Sequence, residues 1–150
     1  MTLKETLDML RPNIAGLKPY SSARNEFHGS NAILLDANEN PYNPRYSMLA
    51  VNRYPDPFQR KAKEKIAGIK GVRPEQIFLG NGSDEAVDLI IRCFCEPSTD
   101  SIAIFAPTYG MYAVCAAINN VGVKQFLLNN DFSININQFF NGLSPNIKVV

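Results

Sequence analysis

From residue 77 onward the sequence alternates short apolar runs with segments whose apolar residues recur at helical spacing, and that alternation admits few folds. The runs are Ile77–Leu79, Ile102–Phe105, Val123–Leu128 and Ile147–Val150. Between them, Ser83–Cys95 carries Ala86, Val87, Ile90, Ile91 and Phe94 on one face and is closed by Pro97. Tyr109–Ile118 and a shorter segment near Ile136–Leu143 follow. Strands alternating with helices of these lengths predict an α/β layer fold with a mostly parallel sheet. The last run ends at Val150 without a flank, where the pattern predicts continuation. The expectation is the front part of a longer protein. Its unfinished sheet would have an open edge and an uncovered apolar face, so the isolated chain is expected to self-associate.

The first half is less regular. Thr2 and Glu5 form a capping-box pattern ahead of Leu3, Leu7 and Leu10, and Pro12 is expected to end that short helix. Residues 12–32 lack a period and read as an extended arm lying on another surface. Ile33–Leu35 reads as a short strand, followed by polar loops around residues 36–44 and 52–56. Asp56 reads as an N-cap, with Pro57 at the first helical position and Gln59 completing a capping box. Phe58, Ala62, Ile66 and Ile69 make an apolar stripe that Gly71 terminates.

Composition narrows the function classes. The 150 residues carry a formal net charge of +1 with basic residues scattered, which argues against a nucleic-acid partner. No apolar run approaches the ~20 residues of a membrane span, and Lys4 and Glu5 stand where a signal peptide needs its apolar core. Three cysteines, an odd number, argue for a reducing compartment, and a cytoplasmic location is expected. With His28 as the single histidine, no zinc constellation can be assembled.

Two turns carry candidate chemistry. In Phe78-Leu-Gly-Asn-Gly-Ser-Asp-Glu85 an apolar run meets two glycines and a helix start, which presents backbone N–H groups to an anion. The N–H groups of Gly82, Ser83 and Asp84, with the Ser83 hydroxyl, are the candidate phosphate donors. The plain alternative is a glycine-assisted turn, and Asp84 and Glu85 partly offset the positive helix end. The stretch is neither a Rossmann fingerprint nor a P-loop: the third glycine position falls on Glu85, and no Gly-Lys-Ser/Thr follows. In Ala106-Pro-Thr-Tyr-Gly-Met-Tyr112, the next turn on the same sheet edge, Tyr109 opens its helix and is placed to stack on a flat ligand, or simply to pack the helix start. Tyr112, one turn on, reads as core.

Leu35-Asp-Ala-Asn-Glu-Asn-Pro-Tyr42, Asn52-Arg-Tyr-Pro-Asp56, Gly80-Asn-Gly-Ser-Asp-Glu85, Phe94-Cys-Glu-Pro97 and Pro107-Thr-Tyr-Gly-Met-Tyr112 stand in the order and spacing of the histidinol-phosphate aminotransferases, which the chain resembles along nearly its whole length. Pro19-Tyr-Ser-Ser-Ala-Arg24 resembles their N-terminal arm. The resemblance implies the front part of the large domain of a fold-type I enzyme dependent on pyridoxal 5′-phosphate. Residues 1–32 would be helix and arm, and 33–150 an incomplete cofactor-binding domain. It implies that Gly82, Ser83 and Asp84 bind the cofactor phosphate, Tyr109 stacks on the ring and Tyr54 reaches the phosphate of the neighbouring subunit in a homodimer. Tyr20 and Asn38 would lie near substrate.

The implied reaction moves an amino group from glutamate to imidazole-acetol phosphate, in histidine biosynthesis. It requires a lysine that forms a Schiff base with the cofactor. None of the lysines at 4, 18, 61, 63, 65, 70, 124 and 148 has a matching context, so no catalytic residue is assigned in this chain, which alone is expected to be inactive. The rival readings are a threonine-phosphate decarboxylase, an aromatic aminotransferase, and an inert truncated gene product.

Overall fold

The computed structural model describes residues 2–22, 33, 35, 37–46, 48, 49 and 51–150. The chain divides into two compact units, Met1–Leu17 with Gly80–Val150, and Lys18–Leu79.

The first unit is built on strand β1 (Ser101–Ala106), flanked in a parallel sheet by β2 (Gly122–Leu127) and β3 (Ile147–Val149). Ser101 lies opposite Gly122 and Ala106 opposite Leu127, an unbroken register with β2. Side chains alternate along β1 and divide its contacts between two faces. Ile102 and Ile104 meet Ile91 of helix α4 (Gly82–Phe94) and Cys115 and Ala116 of α5 (Met111–Ile118), forming the core with Cys95 and Val121. Phe105, on the other face, packs against Phe126 and against Phe139 of α6 (Ile136–Gly142), with the Phe105 and Phe139 centroids 5.1 Å apart. Helices therefore cover both faces of β1, as the alternation predicts. The outer edges of β2 and β3 carry no further strand among the described residues.

The N-terminal segment is bonded to the rest of this unit at Arg11. Helix α1 (Leu3–Asp8) carries the expected reciprocal cap between Thr2 and Glu5. Pro12 does not end the order there. It begins a second short helix, α2 (Pro12–Ala15), because proline lacks the N–H that the first helical position leaves unused. Between them, the Arg11 N–H donates to the Cys93 carbonyl (2.9 Å) and its guanidinium to the Arg92 carbonyl (2.9 Å) and the Glu96 carboxylate (3.0 Å). The expected extended arm is thus helical over Pro12–Ala15, directly after the residue that bonds the segment to the unit. Residues 23–32, with His28, lie outside the described set.

In the second unit, helix α3 spans Arg60–Lys70 and starts three residues later than the capping box at Asp56 predicts. Gln59 is left-handed (φ 53°), so a helix cannot run through it from Pro57. The Asp56 carboxylate instead accepts from the N–H groups of Phe58 and Arg60, 3.0 Å each. Those bonds, that of Arg60 first, hold its pKa below the usual carboxylate value. Gly71 (φ 66°) terminates α3 as predicted. Of the expected stripe, Phe58 and Ile69 remain exposed, and the buried residue of α3 is Ala67.

One predicted strand does not form. Ile77–Leu79 makes no ladder among the described residues, and a strand exists only against a partner. Of the strand expected over Ile33–Leu35, Ile33 and Leu35 are exposed, and Leu34 lies outside the described set. Within α4, Ile90 is half-exposed rather than inward.

Ile91, 2 % exposed, is the most buried isoleucine of the core. Replacing it with alanine is expected to lower stability by about 2–5 kcal/mol, read from the urea midpoint. Burial, aided by the Asp100 charge, pushes the Cys95 thiol from its ordinary 9.0 up to about 11. The unfolded chain therefore releases this proton first, and stability falls as pH rises through that interval. Unfolding titrations of Cys95→Ala are expected to show a flatter decline there than the parent.

Candidate cofactor-phosphate and stacking site

Strand β1 ends at Ala106 and the chain crosses a short loop before α5 begins at Met111. Tyr109 sits in that loop, two residues ahead of the helix it is expected to open, and is 55 % exposed. Its ring stands edge-on to Tyr112, with centroids 6.0 Å apart and planes at 89°. Tyr112 packs against the core, in keeping with the sequence reading. The exposed ring is thus propped from below by a residue tied to β1.

The glycine turn opens α4. Asn81 is the N-cap and Gly82, at φ 82°, the first helical residue. A Cβ there would meet nothing within 4 Å, so backbone conformation, and not space, calls for glycine. The first N–H groups of a helix have no intrahelical acceptor, and those of Gly82, Ser83 and Asp84 find none elsewhere among the described residues. Gly82 and Ser83 are exposed and Asp84 half-buried. Three free N–H groups and a hydroxyl at a positive helix end are a fitting donor set for a phosphate.

Two acidic side chains share this turn, and neither covers the donors. The Glu85 carboxylate folds back to accept from the Asn81 N–H and from Asn81 Nδ2 (3.2 Å), closing the cap. Asp84 reaches the other loop: its Oδ2 accepts from the Tyr109 hydroxyl at 3.4 Å. Its Oδ1 is buried without a donor, the only such side-chain atom among the described residues. An unfilled buried acceptor costs about 1–3 kcal/mol, so the site holds hydrogen-bonding capacity that a ligand or water can use. An apolar cavity of ≈ 310 Å³ lies against Val87, Ile102, Thr108 and Tyr112, but the phosphate turn is outside it.

The structure therefore brings Asp84 and Tyr109 together, with Gly82 and Ser83 beside Asp84 in the same turn. Tyr20, Asn38 and Tyr54 belong to the second unit. Tyr20 is 89 % and Tyr54 67 % exposed, and Asn38 is left-handed at φ 49°. The side-chain link from Asp84 to Tyr109 and the Glu85 cap escape the sequence reading. The only signal for the cap is the spacing of Asn81 and Glu85. Among the described residues no group of three or more His, Cys, Asp or Glu is placed to hold a metal ion, and no helix is long and apolar enough to cross a membrane.

Comparison with known proteins places the chain. The profile of the aminotransferase class I and II family matches residues 24–150. A histidinol-phosphate aminotransferase of Parabacteroides distasonis is 49% identical over 148 residues, covering 99% of this chain and 41% of that protein. Those of Bacteroides fragilis and Christiangramia forsetii are also 49% identical, over 149 and 144 residues. The chain belongs to the class I and II aminotransferase family. It spans about 40% of the length of these relatives.

The charge of Asp84, foremost, holds the Tyr109 phenol above its ordinary pKa. Folded protein thus keeps this proton to higher pH than unfolded chain, and the associated stability is lost as pH rises past the ordinary phenol value. Asp84→Asn is expected to bring the Tyr109 titration down, followed by ultraviolet absorbance against a Tyr109→Phe blank. An unchanged titration would show that the two side chains do not interact in solution.

Proposed function

We propose that this chain supplies the cofactor-phosphate and ring-stacking part of a pyridoxal 5′-phosphate-dependent histidinol-phosphate aminotransferase, acting in the cytoplasm as a homodimer. The observation that carries the reading is the Asp84–Tyr109 contact, which sets a helix N-terminus with free donors beside an exposed aromatic ring. The names of the relatives favour histidinol phosphate and imidazole-acetol phosphate as the substrate pair, with glutamate and 2-oxoglutarate.

Each residue has a separable task. The N–H groups of Gly82, Ser83 and Asp84 and the Ser83 hydroxyl hold the phosphate, and the helix dipole favours its charge. Tyr109 stacks on the pyridine ring and fixes its plane. Tyr54 reaches the phosphate in the neighbouring subunit, and Tyr20 and Asn38 border the substrate. When bound, pyridoxal phosphate acts as the electron sink of amino-group transfer. The lysine that binds it covalently is not among the eight of this chain, which on its own is expected not to turn over glutamate.

Equilibrium binding of pyridoxal phosphate and of pyridoxal tests the reading. The parent chain is expected to prefer the phosphorylated form. Ser83→Ala should cut that preference roughly tenfold, the scale of a hydrogen bond to a charged group. Tyr109→Ala should weaken both forms by about 2–10-fold through lost stacking. Equal binding of both forms by the parent would defeat the phosphate assignment.

A further inference from the structure

Two loops of the second unit share a residue to which no task has been given. Glu39 lies between Asn38 and Asn40, yet its side chain is 4 % exposed in a region where most neighbours face solvent. Its Oε1 accepts from the Tyr54 N–H at 2.6 Å, and its Oε2 from Arg53 Nη1 at 3.0 Å. Both carboxylate oxygens are thus engaged by consecutive residues of the other loop. Next to them, Asn52 Nδ2 donates to the Asn40 carbonyl (2.9 Å) and the Val51 N–H to Asn43 Oδ1 (3.1 Å). Within the first loop, the Tyr42 N–H donates to Asn40 Oδ1 at 3.0 Å.

These loops bury little apolar surface: Tyr42, Val51 and Tyr54 are all exposed. Their geometry therefore depends on polar bonds, and bonds to an ionised carboxylate are the strongest available. Glu39 follows Asn38 directly and grips the backbone of Tyr54, so neither can shift without the other.

We propose that Glu39 is a positioning residue that locks the Asn38 loop to the Tyr54 loop, so that the substrate-side asparagine and the phosphate-side tyrosine are presented as one piece. The functional half rests on the aminotransferase reading above, whereas the mechanical half stands on the hydrogen bonds alone. Glutamine at 39 keeps an acceptor for the Tyr54 N–H and gives up the charge opposite Arg53. Alanine gives up both.

Amide hydrogen exchange of the full 150-residue chain, with Glu39→Ala and Glu39→Gln, tests the lock. Glu39→Ala is expected to speed exchange at Tyr54 about tenfold, the loss of one hydrogen bond to a charged group, and to speed Val51 and Tyr42 with it. Glu39→Gln should restore the Tyr54 protection. Unchanged exchange in the alanine variant, or acceleration at Tyr54 alone, overturns the proposal. Should alanine also strip the Ala67 amide of α3, the glutamine variant decides: retained Tyr54 protection supports the lock, and loss with Ala67 intact refutes it. The preference for pyridoxal phosphate over pyridoxal supplies the second readout. Glu39→Ala and Tyr54→Phe should lower it by similar factors, and the double variant no further. Loss with Tyr54→Phe but not with Glu39→Ala overturns the positioning role. Absence of any preference in the parent chain strikes the aminotransferase reading and leaves the exchange result to judge the lock.

Discussion

Strand β1 is paired along its whole length by β2, joined at Ser101–Ile102 by β3 and covered on both faces, and the placement of the site follows from that confinement. Ile102 and Ile104 point to α4 and α5, while Phe105 points to α6. The loop leaving β1 starts from a fixed point, and Tyr112 ties its far end back to the same core. Helix α4 is held on that core by Ile91 and at its C-terminal end by Arg11. The separation between the first turn of α4 and Tyr109 is thus set by packing rather than by the loop itself. A close-packed core transmits such constraints because it has no slack to absorb them.

Anion binding at the start of α4 has an electrostatic difficulty, since two carboxylates occupy the first turn. The structure resolves part of it by geometry. Glu85 turns back onto Asn81 and Asp84 turns to Tyr109, which leaves the N–H groups of Gly82, Ser83 and Asp84 without an acceptor among the described residues. The helix dipole and these donors act within one turn, so the direction a carboxylate takes matters as much as its presence.

Most of the α/β part was legible because its signals are local. The period of the apolar residues places α4, β1, β2 and β3 to within a residue or two, and Gly71 and Thr2 mark helix ends by their own chemistry. Ile77–Leu79 misled because an apolar run states a preference for burial, whereas a strand also needs a partner. The capping box at Asp56 misled because Gln59 turns left-handed, and sequence spacing does not report φ. The site divided in the same way. Gly82, Ser83 and Tyr109 stand in recognisable turns, but the Asp84 link to Tyr109 joins residues 25 apart and required the fold to be seen.

The central claim is that the first turn of α4 receives the cofactor phosphate. The most direct measurement is the change in backbone amide resonances as pyridoxal phosphate is titrated into the chain. Phosphate held there must pull the amide protons of Gly82, Ser83 and Asp84 downfield, by more than any others, while inorganic phosphate shifts the same three more weakly. Shifts centred elsewhere, or none at these three amides at saturating ligand, would contradict the account.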